Sequence, residues 1–124
     1  MKPSVLVAVL ALGAACGSPV APDRSQPLRI SASNGALQLA NVSDQRVFYF
    51  IYERQGAALI NWVPCVNLAR CSSVAAGAQS TVPYSSIGGY APGKTEAIVW
   101  WWYAVPGPAD ALVPGVPLAT VVEL

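Results

Sequence analysis

The side chains with the most chemical content are aromatic. In Ile98-Val99-Trp100-Trp101-Trp102-Tyr103 and in Val47-Phe48-Tyr49-Phe50-Ile51-Tyr52, an extended backbone sends alternate residues to opposite faces. Ile98, Trp100 and Trp102 then oppose Val99, Trp101 and Tyr103, and both faces are large and apolar. Trp and Tyr offer wide contact area with a polar tip at low entropic cost. Phe48, Phe50, Tyr52, Trp100, Trp101, Trp102 and Tyr103 are therefore the candidate binding face for a protein, peptide or glycan, with Trp101 expected to serve that surface. The competing expectation is that one face is covered internally, by cross-strand stacking or by the proline-rich stretch Pro106 to Pro117 folding back.

Catalytic groups are sparse. The chain has no histidine, so the Ser-His and Cys-His pairs that activate most nucleophiles cannot form. Glu53 and Glu96 border the two aromatic strands and have the residue types of a glycosidase pair, but glutamates beside Arg54 and Lys94 are more often ion-paired. Ser85-Ser86-Ile87-Gly88-Gly89 lacks Gly-x-Ser-x-Gly spacing and reads as a flexible surface loop. No enzyme activity and no cofactor is expected. A structural metal site needs four Cys, His or carboxylate ligands, and in a chain without histidine none is expected.

The three cysteines divide as one plus two. Cys65 and Cys71 are close enough in sequence for their Cβ atoms to meet across one loop, and a disulfide is expected in an oxidising compartment. Closing so small a ring removes about 2 kcal/mol of unfolded-state entropy, so its larger role is to pin the loop. The remaining Cys16 follows Met1-Lys2, an apolar run from Val5 to Ala15 and the small residues Gly13-Ala14-Ala15, the anatomy of a secretory signal. At about 1.5 Å per residue the run covers roughly half of a 30 Å hydrocarbon core, too little to span it. Leu12-Gly13-Ala14-Ala15-Cys16-Gly17-Ser18 resembles the lipobox of bacterial lipoproteins. That resemblance implies an acyl anchor, such as palmitate, on Cys16 as first mature residue, although Gly13 stands where the family usually has an aliphatic residue. Ordinary signal cleavage at the same bond is the alternative.

Charge narrows the partners. Only 10% of the 124 residues are charged, against roughly 25% in an average domain. Without Lys2, basic and acidic residues balance at six each. A neutral chain with no basic stripe cannot hold a phosphate backbone or an anionic lipid surface electrostatically, which argues against nucleic acid and makes any membrane attachment covalent.

The positioning elements read as strands. Residues 16–27 contain three prolines and no apolar period, a tether reaching at most about 30 Å. Leu28 to Ser31 and Leu37 to Val42 alternate around Asn34-Gly35, a hairpin signal. Further strands are predicted over Arg46 to Arg54, Ala57 to Trp62, Gln79 to Tyr84, Thr95 to Val105 and Leu118 to Leu124, with Pro106 to Pro117 too broken for regular structure. Asn41-Val42-Ser43 matches a glycosylation acceptor but reads as a turn.

About seven strands in roughly a hundred residues predict an all-β fold, an antiparallel β-sandwich. Leu37-Gln38-Leu39-Ala40-Asn41-Val42-Ser43 leading into Val47-Phe48-Tyr49 resembles the immunoglobulin-like domains of small bacterial envelope lipoproteins. The expected organisation is a signal peptide over 1–15, a lipidated cysteine and tether over 16–27, and an immunoglobulin-like sandwich over 28–124. The expected role is non-catalytic, a binding or scaffolding module lipid-anchored in the bacterial cell envelope. The alternative is an inhibitor or accessory partner of a secreted enzyme, acting through the pinned loop 64–71.

Overall fold

The computed structural model describes residues 26–124. The expected signal peptide, the acylation of Cys16 and most of the tether lie outside the described residues. The fold is all-β with antiparallel sheets. Strands β1 (Leu28–Ser33), β2 (Ala36–Asn41) and β5 (Gln79–Pro83) form one sheet in the order β1-β2-β5. Strands β4 (Ser72–Val74), β3 (Val47–Glu53), β6 (Glu96–Trp102) and β9 (Leu118–Glu123) form another in the order β4-β3-β6-β9. A small hairpin joins β7 (Ala104–Pro106) to β8 (Leu112–Pro114), and a one-turn helix α1 (Arg54–Ala57) follows β3.

Local sequence explains most of these boundaries. Asn34 and Gly35 both have positive φ, 52° and 76°, which is what a two-residue hairpin needs to match the strand twist. Alternation in β2 buries Leu37, Leu39 and Asn41, and in β6 it buries Ala97, Val99 and Trp101. These apolar side chains join Leu28, Val47, Ile51, Val74 and Ile87 in one core cluster drawn from both sheets. Each fully buried Leu or Val in it contributes about 1.5–3 kcal/mol.

A buried amide ties the sheets together. Asn41, at the end of β2, donates from Nδ2 to the carbonyls of Gln45 at 2.7 Å, Val74 at 2.9 Å and Ala75 at 3.2 Å. Its Oδ1 accepts from the Ser43 backbone N–H at 3.0 Å and the Ser43 hydroxyl at 2.7 Å. One side chain thus closes the turn from β2 into β3 and reaches β4 in the other sheet. The Asn-Val-Ser triplet is a structural knot.

Three expectations need correction. No strand spans Ala57 to Trp62: the Glu53 carboxylate caps the N–H groups of Gln55 and Gly56 and turns the chain into α1, and an irregular segment follows. Pro106 to Pro117 is not structureless, because Pro106 and Pro114 sit at the ends of a two-stranded ribbon, where a missing N–H is tolerated. The strand expected over Thr95 to Val105 breaks at Tyr103, and β4 is too short to have left a periodic signal.

Replacing Asn41 by Leu is expected to remove the Nδ2 donor from the Val74 and Ala75 carbonyls and to leave Gln45 O with the Ser43 hydroxyl in its place. The loss in chemical-denaturation stability should be about 3 kcal/mol or more, and a change under about 0.5 kcal/mol would show that the knot is dispensable.

Candidate functional site

Register decides which aromatic residues share a face. Antiparallel pairing sets Phe48 opposite Trp102, Phe50 opposite Trp100 and Tyr52 opposite Ile98. These point away from the core, while Tyr49 opposite Trp101 and Ile51 opposite Val99 point into it. The seven residues expected to form a binding face therefore separate. Phe48, Phe50, Tyr52, Trp100 and Trp102 lie on the outer side. Trp101 is a core residue, 3% exposed, and Tyr103 meets it edge-on at 6.0 Å. Among the described residues no acceptor meets the buried Trp101 Nε1–H, so there hydrophobic packing outweighs the lost hydrogen bond.

The outer face is not open. Residues 58–71, which connect α1 to β4, form a strap across it. Trp62 stacks at 5.0 Å from Phe50, 4.9 Å from Trp100 and 5.6 Å from Trp102. The Trp102 indole donates from Nε1 to the Cys65 carbonyl at 2.9 Å. Under this cover Trp102 is only 2% exposed and Phe48 3%. Cys65 and Cys71 form the expected disulfide, with their Cα atoms 6.2 Å apart, and Asn67 O accepts from the N–H groups of Arg70 and Cys71 inside the ring. The cover expected from Pro106 to Pro117 is thus supplied on this face by the strap. Trp62 is the residue that sequence reasoning missed. The available signal was an isolated Trp three residues ahead of Cys65 in a stretch without alternation.

What faces solvent is the strap's own back and the margin of the aromatic cluster. Leu59 is 86% exposed and Val63 81%, with Leu68 also exposed. Phe50, Tyr52, Trp62 and Trp100 remain half-buried. Stacked aromatic pairs contribute about 0.5–1.5 kcal/mol each beyond the area they bury, so the strap sits on a stiff support.

The two glutamates share one hollow, and each is engaged by its neighbours. Glu53 and Glu96 line one hollow of about 320 Å³ with Arg54, Gln55 and Lys94. Glu53 accepts from Gln55 N and Gly56 N, both at 2.9 Å. Those two backbone bonds, aided by the nearby Lys94 charge and opposed by burial, hold its pKa below the ordinary 4.5. A general acid needs the opposite shift. Glu96 pairs with Arg54 at 3.1 Å, and Lys94 donates to Gln55 Oε1 at 2.9 Å.

The segment expected to be a flexible surface loop is packed. Gly88 lies against the Tyr52 ring so closely that a Cβ there would fall 2.5 Å from ring carbons. Its carbonyl also accepts from Glu53 N at 2.8 Å. A wider groove of about 850 Å³ runs between edge strands β1 and β9, lined in part by Leu28, Ile30, Thr120 and Val122. It holds none of the aromatic cluster.

Trp101→Ala is expected to lower unfolding stability by about 3–5 kcal/mol, as large core truncations do, and Trp100→Ala by clearly less. Equal effects in denaturant titration would contradict the two-face assignment. The Glu53 cap should also mark the pH profile. Because the folded-state pKa is lowered, the carboxylate stabilises the fold above its unfolded value and loses that contribution as pH falls through the folded value. The melting-temperature advantage of the unmodified chain over Glu53→Gln should be full near neutral pH and close progressively below about pH 4.5. An advantage independent of pH would show that the charge is not the cap.

No family model matches the chain, and no curated protein or solved structure matches it.

Proposed function

We propose that the chain is a non-catalytic recognition module of the bacterial cell envelope, carried on an acyl anchor at Cys16 and built as an immunoglobulin-like sandwich. The strand orders β1-β2-β5 and β4-β3-β6-β9 correspond to the A-B-E and C′-C-F-G arrangement of such domains, which supports the architectural part. The core cluster drawing on both sheets is in keeping with it. The lipobox-like segment and the near-neutral charge support a covalent rather than an electrostatic hold on the membrane.

One observation carries the recognition part. Trp62 clamps a disulfide-pinned strap onto the outer aromatic face, and the strap turns Leu59, Val63 and Leu68 to solvent. Large apolar side chains on a loop stiffened from below bind with less entropic cost than the same side chains on a free loop. The surface offered to a protein or peptide is then the strap together with the half-buried margin at Tyr52 and Trp100. The exposure of Leu68 favours a second reading, in which the pinned loop 64–71 alone inhibits or accompanies a secreted enzyme.

A photo-crosslinking residue placed in living cells at Leu68, Trp100 or, as control, Ser31 separates these readings. Adducts from both Leu68 and Trp100 are expected for the composite surface. Adducts from Leu68 alone support the loop reading, and a pattern indistinguishable from Ser31 overturns both. Intact mass of the envelope form tests the anchor, with an unmodified Cys16 N-terminus counting against it.

A further inference from the structure

We infer that the Cys65–Cys71 disulfide is a redox latch, and that its reduction by a dithiol lifts the strap and uncovers the aromatic face formed by Phe50, Trp100 and Trp102.

The strap is weakly tied except at this bond. Among the described residues, no backbone N–H of residues 60–66 donates to a strand, and the strap's direct polar tie to the sheet is the Trp102 indole on Cys65 O. Trp62 supplies the apolar contact. The disulfide links Cys65, which lies over Trp102, to Cys71, which immediately precedes β4. That bond therefore fastens the middle of the strap to the edge of the sheet it covers. A segment with few backbone bonds and one covalent fastening opens at far lower cost than the sheet beneath it.

The face beneath does not depend on the strap for its shape. Phe50 and Trp100 are neighbours through the β3–β6 ladder, which continues over six residue pairs, and β3 and β6 also carry the core on their other side. Releasing the cover should leave the sheet standing with its outer aromatic residues in place.

The chemistry is accessible and directional. Both cysteines are half-buried, so a dithiol can reach them. The Asn67 backbone N–H lies 3.2 Å from Cys71 Sγ and stabilises the charge that grows on that sulfur as it leaves, which directs thiolate attack to Cys65 Sγ. Attack breaks the Sγ–Sγ bond, forms a mixed disulfide on Cys65 and releases Cys71 as a thiolate that takes up a proton. The reductant's second thiol then displaces Cys65, which is protonated in turn. The dithiol leaves as its cyclic disulfide, having given two electrons to the protein. This inference stands apart from the recognition reading, since it concerns exposure of the face whether or not a partner binds there.

Tryptophan provides the readout, because three of the four residues (Trp62, Trp100 and Trp102) lie in the strap–face contact and Trp101 lies in the core. The full oxidised chain is treated with dithiothreitol, with reduction of both cysteines verified by thiol labelling. The expected result is a red shift of tryptophan emission, stronger acrylamide quenching and loss of the near-ultraviolet dichroism of the stacked indoles, while the far-ultraviolet β signal and a cooperative melt persist. The double variant Cys65→Ser/Cys71→Ser should show the same state without reductant and no response to it. Verified reduction with unchanged emission and quenching would overturn the inference. So would collapse of the far-ultraviolet signal in step with the tryptophan change, since the disulfide would then hold the whole fold.

Discussion

Because β3 and β6 pair along their length and carry large apolar side chains on both sides, water has to be excluded from both faces of that pair. Most of the described structure follows from this demand. The inner face is covered by Leu28, Leu37 and Leu39 of the three-stranded sheet. The outer face carries Phe50, Trp100 and Trp102. It is served by the connection between β3 and β4, which detours over the sheet as the strap and sets Trp62 on the exposed rings. A direct β3–β4 hairpin would have been shorter, but it would have left Phe48 and Trp102 in water.

The covering is stabilised unequally at its ends. At the start, Glu53 holds α1 through two backbone bonds and sets the direction in which the chain leaves β3. At the far end, the disulfide and the Asn67 carbonyl close the loop back to β4. Between them the strap relies on ring stacking and one indole hydrogen bond. Those interactions are modest individually and act together because the sheet presents its rings rigidly. The result is a small second core outside the main one, with a connecting segment as its roof.

Asn41 works on the main core in a complementary way. A fully buried amide would be costly if its polar atoms were unpaired, but here both ends are satisfied, by backbone and hydroxyl groups of the β2–β3 turn and by the end of β4 in the other sheet. The same directional demand that makes such a residue expensive makes it specific, since few other packings of the strands could supply those partners.

Alternation is a local property, so the hairpin at Asn34-Gly35, the strands around Leu37, Phe48 and Trp100, and the opposite facing of Trp100 and Trp101 follow from the order of residues alone. The proximity of Cys65 and Cys71 follows from their spacing. What alternation cannot say is which of two apolar faces meets the other sheet, because both satisfy the same pattern. That choice placed Trp101 in the core and Trp100 at the margin, and it is set by which side the β1-β2-β5 sheet packs against. Nor could composition reveal that an irregular stretch bearing one Trp would lie across the sheet, that Gly88 would seat the Tyr52 ring, or that Asn41 would bridge two sheets. These contacts join residues distant along the chain, and they exist only once the strands have brought their partners within reach.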